Sequence, residues 1–261
     1  MKAIFFIFLV FISSIALCQQ DTTGNKIHDL LLKAGKQQLN KDELKEVRSY
    51  ATEIQNSGFN LEELSHNYVG SLKKINQASV IWTLLRDTLN IANLKKYKGY
   101  LLGHLNRFAE AKTEIDSAIR LFSAVKYPPG VAVSKFDLSK VYESESKLDS
   151  SLKYATLTLA FWKIKKDTTR IMISYNQIIN LYLKMKEYKR AANAQDAASP
   201  LLTKKNLYWR QVMDFYFLSI QLYKKLNQAA LQQKYQGLFD NKWKELSAEN
   251  ISPVVGFSEY P

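Results

Sequence analysis

Histidines and carboxylates, the side chains that most often perform catalysis or hold metals, are scattered along this chain. His28, His66 and His104 are its three histidines, and no two of them have the i, i+4 spacing with which a helix holds zinc. The carboxylates form no recognisable pair, and no phosphate-binding glycine loop occurs among the nine glycines. The sequence therefore predicts a protein that is not an enzyme and has neither a metal site nor a cofactor.

Asn176 and Asn180 form the most informative polar pair. They are four residues apart, so a helix would bring both side chains to one face. Asparagine is a poor residue inside a helix because its side chain competes for backbone hydrogen bonds. Each amide offers two donors and an acceptor, which suits a peptide backbone or a carboxylate. The pair therefore predicts a binding role.

The segments that carry this pair repeat every 40 residues. Large residues recur in two series, and small residues recur between them in step. Self-similarity at this period indicates a helical solenoid, in which each unit buries its apolar face against its neighbours. The large residues are Phe108, Leu148 and Tyr188, and Leu102, Tyr142, Tyr182 and Tyr223; the small ones are Ala111, Ser151 and Ala191, and Ala118, Thr158 and Ala198.

Apolar periodicity and helix breakers divide residues 92–246 into four helical hairpins. The predicted pairs are 92–105 with 107–125, 131–145 with 148–164, 170–185 with 187–199, and 207–225 with 228–246. Residues 19–91 are predicted to form divergent helices or a capping repeat, because the phase is lost at Ser57, Gly58 and Phe59. Residues 247–261 are predicted to be an irregular tail. The predicted fold class is all-α.

Residues 1–18 have the layout of a secretory signal peptide, with Lys2, an apolar run and then small residues. Cleavage after Cys18 would leave a mature chain without cysteine. The alternative is a lipoprotein that keeps an acylated Cys18, although Leu17 fits that signal poorly. The apolar run is shorter than the ~20 residues of a membrane-spanning helix. The predicted location is periplasmic or secreted, with no membrane span in the mature chain.

The chain has a formal net charge of +13, and most of the excess lies on the repeats. Residues 61–220 carry 25 basic and 14 acidic side chains, a net charge of +11. A basic field favours anionic partners. In an exported protein these would be acidic protein segments, cell-wall or surface polymers, or anionic lipid headgroups, and nucleic acid is not expected.

The repeats resemble tetratricopeptide repeats, in the longer form of about 40 residues found in exported and sensory proteins of Bacteroidetes-type bacteria. Gly99 and Leu102 match the small and large positions of a first helix, and Phe108, Ala111 and Ala118 match a second helix. The resemblance implies a right-handed solenoid whose first helices line a concave peptide-binding groove. The groove positions are Lys96, Tyr100, His104, Phe136, Lys140, Glu143, Asn176, Asn180, Lys184, Phe217, Gln221 and Lys224.

Lysines and asparagines at these positions predict an exported scaffold that binds an acidic or carboxylate-terminated peptide of a partner protein. Two alternatives stay open at this point. One is a periplasmic sensory or regulatory protein that signals through a separate partner. The other is a basic protein that binds a cell-wall or surface polymer. The sequence also leaves self-association open.

Overall fold

The computed structural model describes residues 22–204 and 207–249, and all regular structure there is helical. The predicted all-α fold is confirmed. The predicted signal peptide with Cys18, and the predicted tail beyond Glu249, lie outside the described residues. The α-helices are α1 Thr22–Gly35, α2 Lys41–Ser65, α3 Tyr68–Leu84, α4 Thr88–His104, α5 Phe108–Ala124, α6 Pro128–Ser144, α7 Leu148–Lys165, α8 Thr168–Lys184, α9 Tyr188–Ala198, α10 Trp209–Lys225 and α11 Ala229–Ala248.

Two compact units make up the chain, the first ending at Glu145 and the second beginning at Ser146. In the first unit α2 packs on α3, α4 packs on α5, and α4 also contacts α6. In the second unit α8 packs on α7 and α9, and α10 packs on α8 and α11. No helix in the described ranges is both long and apolar enough to cross a bilayer.

One type of turn recurs between successive helices and sets the repeat length. After α4, the Asn106 N–H donates to the Gly103 carbonyl at 3.0 Å, and the Arg107 N–H donates to the Leu102 carbonyl at 2.9 Å. This is the Schellman pattern, in which one residue adopts a left-handed conformation. A 17-residue helix and a three-residue turn give 20 residues, and two such units give 40. The non-glycine residues with left-handed backbone conformation in the described ranges are Gln37, His66, Arg86, Asn106, Lys126, Ser146, Lys166, Lys186 and Asn227.

The 40-residue register also extends upstream of the predicted solenoid. Helix α2 runs through Ser57, Gly58 and Phe59, where the sequence predicted that the phase is lost. Gly58 is buried against Ile75 of α3, much as Gly99 packs against Ile115 of α5. Buried residues therefore recur forty apart in the second helices, as Ile75, Ile115, Ala155, Gln195 and Tyr235.

Two helix starts precede the predicted ones because of local capping. Helix α4 begins at Thr88 because the Asp87 carboxylate accepts a hydrogen bond from the Asn90 N–H at 3.1 Å. Helix α6 begins at Pro128, since proline is well suited to the first turn, where its missing N–H costs nothing. The predicted starts at 92 and 131 were therefore late.

Small side chains allow the two helices of a hairpin to approach closely. All six small residues of the predicted repeat are at most 1% exposed. Among the large residues, Leu102 and Tyr223 are buried, whereas Tyr142 and Tyr182 are partly exposed. A Cβ atom on Gly99 would lie 2.3 Å from Ile115 Cγ1 and 3.0 Å from the Ala111 carbonyl oxygen. The contact between α4 and α5 therefore requires glycine at position 99.

A buried polar network joins the last three helices of the second unit. The Tyr223 hydroxyl donates to Gln195 Oε1 at 2.9 Å, and Gln195 Nε2 donates to the Tyr235 hydroxyl at 2.6 Å. The two tyrosine rings also stack, with centroids 5.5 Å apart. Burial raises the pKa of Tyr223 to about 12, so its hydroxyl stays protonated. Gln195 is 1% exposed, and this network gives both ends of its amide a partner.

Replacing Gly99 by alanine should destabilise the protein by about 1–3 kcal/mol, because the new methyl group overlaps Ile115 and the α5 backbone. The matched control is Gly237→Ala in α11, where a Cβ would meet nothing within 4 Å. That change should stabilise the protein by about 0.5–1 kcal/mol through helix propensity. Urea denaturation of both variants measures the difference. Equal effects would contradict the close packing at Gly99.

Replacing Lys186 by glycine should stabilise the protein by about 1 kcal/mol, because Lys186 has φ 60° and glycine adopts this conformation without strain. Lys153→Gly in the exposed middle of α7 removes the same charge and should cost about 1 kcal/mol. Thermal and urea unfolding of the two variants tests the turn. A loss of stability in both variants would show that the turn is not left-handed.

Candidate functional site

An uncovered stripe of side chains follows the first helices of the first unit. Helix α4 contacts α6 directly, and the Phe59 ring of α2 lies 4.5 Å from the Tyr97 ring of α4. Equivalent residues forty positions apart are partly or fully exposed on each helix. The stripe comprises Glu53, Asn56 and Asn60 on α2, Asn93, Lys96 and Tyr100 on α4, and Val133, Phe136 and Lys140 on α6.

An open groove of about 940 Å³ lies along the second half of α2. Amide and hydroxyl side chains dominate its lining, and Glu53 is its one charged residue among those the structure describes. Leu64 contributes an apolar surface that is 81% exposed. The lining residues are Ser49, Thr52, Glu53, Asn56, Ser57, Asn60, Leu61, Leu64 and Ser65.

Tyr100, a predicted groove residue, is hydrogen-bonded within the protein. Its hydroxyl donates to Glu62 Oε1 of α2 at 2.9 Å, and the neighbouring Tyr97 donates to Glu62 Oε2 at 3.1 Å. Burial, followed by the negative charge of Glu62, raises the pKa of both tyrosines. Both hydroxyls therefore stay protonated and hold the Glu62 carboxylate between α2 and α4.

His104 lies at the exposed end of the same aromatic cluster. Its ring stacks on Tyr68 at 4.6 Å between centroids and meets the edge of Tyr100 at 4.5 Å. His66 lies 6.2 Å from Tyr68 on the other side. No group of three metal-ligating side chains is found in residues 22–204 and 207–249. The His104 ring thus packs against aromatic side chains of α3 and α4.

Lysines near the stripe differ in the ion pairs that they form within the protein. Lys95 and Lys98 both bind Glu114 of α5 at 2.8 Å. Partial burial opposes ionisation of Glu114, but these two lysines hold the pKa of its carboxyl below the usual value. Lys140 lies 3.2 Å from Glu143 on the same helix. Lys96 lies between Lys95 and Lys98 in sequence but belongs to the uncovered stripe.

In the second unit the predicted amide pair is divided. Asn176 is only 7% exposed, and its amide nitrogen donates to the Gln211 carbonyl of α10 at 2.9 Å. Its side chain therefore links α8 to α10. Asn180 is partly exposed. The other predicted groove residues of this unit are also exposed at least in part: Lys184, Phe217, Gln221 and Lys224.

A second amide pair, Asn56 and Asn60, was not predicted from the sequence. These residues precede Asn176 and Asn180 by 120 residues, which is three repeat periods, and have the same i, i+4 spacing. Both are exposed and line the groove of α2. The signal was available in the sequence, but the apparent loss of phase at Ser57 hid it. Both amides of this second pair are thus uncovered, unlike Asn176.

The repeat architecture matches solved structures, although no family model and no curated protein sequence matches the chain. BtubC (BKLC) from P. vanneervenii matches with a TM-score of 0.54 at 14% identity, covering 79% of this chain and 92% of that chain. Two structures of a putative kinesin light chain from Podosopora anserina, with nearly identical TPR-like repeats, also match. One, a single-substitution variant, has a TM-score of 0.56 at 10% identity, covering 82% of this chain and 100% of that chain. The other has a TM-score of 0.54 at 11% identity, covering 79% of this chain and 97% of that chain. The fold is therefore a TPR-like α-solenoid.

Asn176→Ala should destabilise the protein by about 1–2 kcal/mol, because it removes a buried hydrogen bond and leaves the Gln211 carbonyl without that donor. Asn193→Ala is the control, since Asn193 is exposed on α9 of the same unit and alanine favours helix. Chemical denaturation compares the two variants. If Asn176→Ala were as stable as the control, Asn176 would be available to a ligand after all.

Proposed function

We propose that this protein is a non-enzymatic interaction scaffold that binds an extended peptide segment of a partner protein on the uncovered stripe of its first helices. The supporting observation is the stripe itself. In the first unit it recurs on α2, α4 and α6 at equivalent positions, so that one ligand can contact three consecutive repeats. The TPR-like fold is consistent with this role, since stacked repeats offer an extended surface rather than an enclosed pocket.

The side chains of the stripe favour a ligand with acidic groups or a terminal carboxylate. Lys96 and Lys140 offer cationic donors, Lys140 beside its own ion pair with Glu143 at 3.2 Å, while Asn56, Asn60 and Asn93 offer amide groups that can pair with a peptide backbone. Lysine binds a carboxylate as a point charge and forms no bidentate pair with it. The affinity for the ligand therefore depends on several weak contacts. We expect moderate affinity that falls with added salt.

Binding of an anionic surface polymer is the alternative that the basic charge suggests. A polymer binder needs a belt of available cations. In the first unit Lys95, Lys98 and Lys112 all form ion pairs with glutamates, at 2.6–2.8 Å. Internal pairing of these lysines reduces the cationic field, so the peptide-binding role is favoured.

Export, to the periplasm or beyond, remains part of the proposal and rests on the signal-like residues 1–18.

Photo-crosslinking in the native host tests the proposed face. Benzoylphenylalanine placed at Asn60 should give discrete crosslinked partner bands, because this position lies on the uncovered stripe. The control carries the same probe at Asp116, which is exposed on the second helix α5. Adding Lys96→Gln and Lys140→Gln should weaken the bands at least tenfold, as expected for lost charge contacts. Equal crosslinking from both positions would contradict the proposal.

A further inference from the structure

Helix α2 changes its charge composition abruptly halfway along its length. Six of the eight residues 41–48 are charged, but only three of the seventeen residues 49–65 are, and all three are glutamates. Depletion of charge on an exposed surface is typical of the centre of an interface. The second half is also where the open groove lies. The charged first half of α2 and its charge-depleted second half therefore have different functions.

The charged first half of α2 has its partner within the chain. Helix α1 packs against it, and ion pairs join Lys26 to Glu46 at 2.7 Å and Lys33 to Glu43 at 2.6 Å. Asn40 caps the helix and forms a capping box with Glu43. These contacts engage Glu43 and Glu46, whereas the groove residues of the second half stay exposed or partly exposed.

The groove has a negative electrostatic character. Glu53 is exposed, and no basic residue is among the described residues that line the groove. The carboxyl-terminal end of α2, at Ser65, adds the partial negative charge of a helix terminus. An acidic peptide would be repelled here, whereas a basic side chain would be attracted.

The rest of the stripe in the first unit has the opposite sign. Lys96 lies at the position of α4 equivalent to Asn56, and Lys140 lies at the position of α6 equivalent to Asn60. Packed helices lie about 8–10 Å apart, so three first helices span roughly 20 Å. An extended chain covers that distance with roughly six residues. One short peptide can therefore contact both signs of charge.

We propose that the groove along the second half of α2 binds the basic part of a bipolar peptide, with a lysine or arginine at Glu53 and acidic residues about three to six positions away at Lys96 and Lys140. This inference rests on the proposed function and specifies the ligand of the same stripe. Amides and hydroxyls of the groove hold the uncharged backbone between the two charges. A purely apolar segment fits poorly, because it would leave these polar groups without partners.

A phage-displayed library of random 12-residue peptides, panned against the full chain at low salt, tests the charge order. Enriched peptides should carry Lys or Arg near one end and Asp or Glu three to six residues away. Panning against Glu53→Gln should remove the preference for the basic residue, and panning against Lys96→Gln should reduce the preference for the acidic one. Asp116→Asn, with the same change in charge as Glu53→Gln but on α5, should leave both preferences intact.

Binding of the most enriched peptide, followed by fluorescence anisotropy, gives the size of the effect. Glu53→Gln should weaken it about tenfold, and Asp116→Asn should leave it unchanged. Enrichment of acidic peptides without a basic residue would overturn this inference while leaving the proposed function intact. Failure to enrich any peptide would overturn the proposed function itself. Sedimentation analysis supplies a further test. If the unchanged chain sedimented as a dimer and Glu53→Gln dissociated that dimer, a second copy of the chain would fill the groove, and the inference would be overturned.

Discussion

Close contact between the two helices of a hairpin is the constraint on which the rest of this structure depends. It requires side chains no larger than threonine at two positions of the second helices that precede α11, and these positions recur from Ser71 and Ala78 to Ala191 and Ala198. Because the helices can then approach, larger residues such as Ile75, Ile115 and Phe122 become fully buried between them. Burial of this kind supplies the main stabilisation, since a solenoid repeat has little other core.

The same packing determines which side chains are left for a partner. Helix α4 has one face against its own second helix, α5, and another against the neighbouring repeat. In α4 these faces bury Leu94, Leu101 and Leu102, and the remaining stripe holds Asn93, Lys96 and Tyr100. The α4 part of the stripe is mostly polar because no core residue is required there, so the residue types of the stripe are free to differ from helix to helix. That freedom explains why α2 and α4 can carry opposite charges on one scaffold.

Much of the fold could be predicted because its repeat depends on residue size, which can be read from a sequence. The small residues Ala111, Ser151 and Ala191 show the period directly. The turns could not be predicted as precisely, because left-handed residues such as His66, Lys126 and Ser146 stand where glycine usually marks such a turn. Capping by Asp87 and the start of α6 at Pro128 likewise depend on local backbone geometry.

The candidate site was harder to predict than the fold. Lys96 and Lys140 lie on the uncovered stripe, because helical phase alone determines this. Asn176 occupies an equivalent phase but bonds to the α10 backbone instead, a contact between repeats that no spacing within α8 indicates. Asn56 and Asn60 were missed because Gly58, which weakens a helix in isolation, suggested a break there. Its close contact with Ile75 explains its presence inside α2.

The hydrogen bonds of Gln195 have a consequence for how the chain opens. Terminal repeats of a linear array have a neighbour on only one side and tend to fray first. Gln195 bonds to Tyr223 of α10 and Tyr235 of α11, so α9 is tied directly to the last two described helices. Separating α11 from this group breaks a buried bond as well as apolar contacts. The three helices therefore form one cooperative block, and the carboxyl-terminal hairpin opens together with α9 rather than ahead of it.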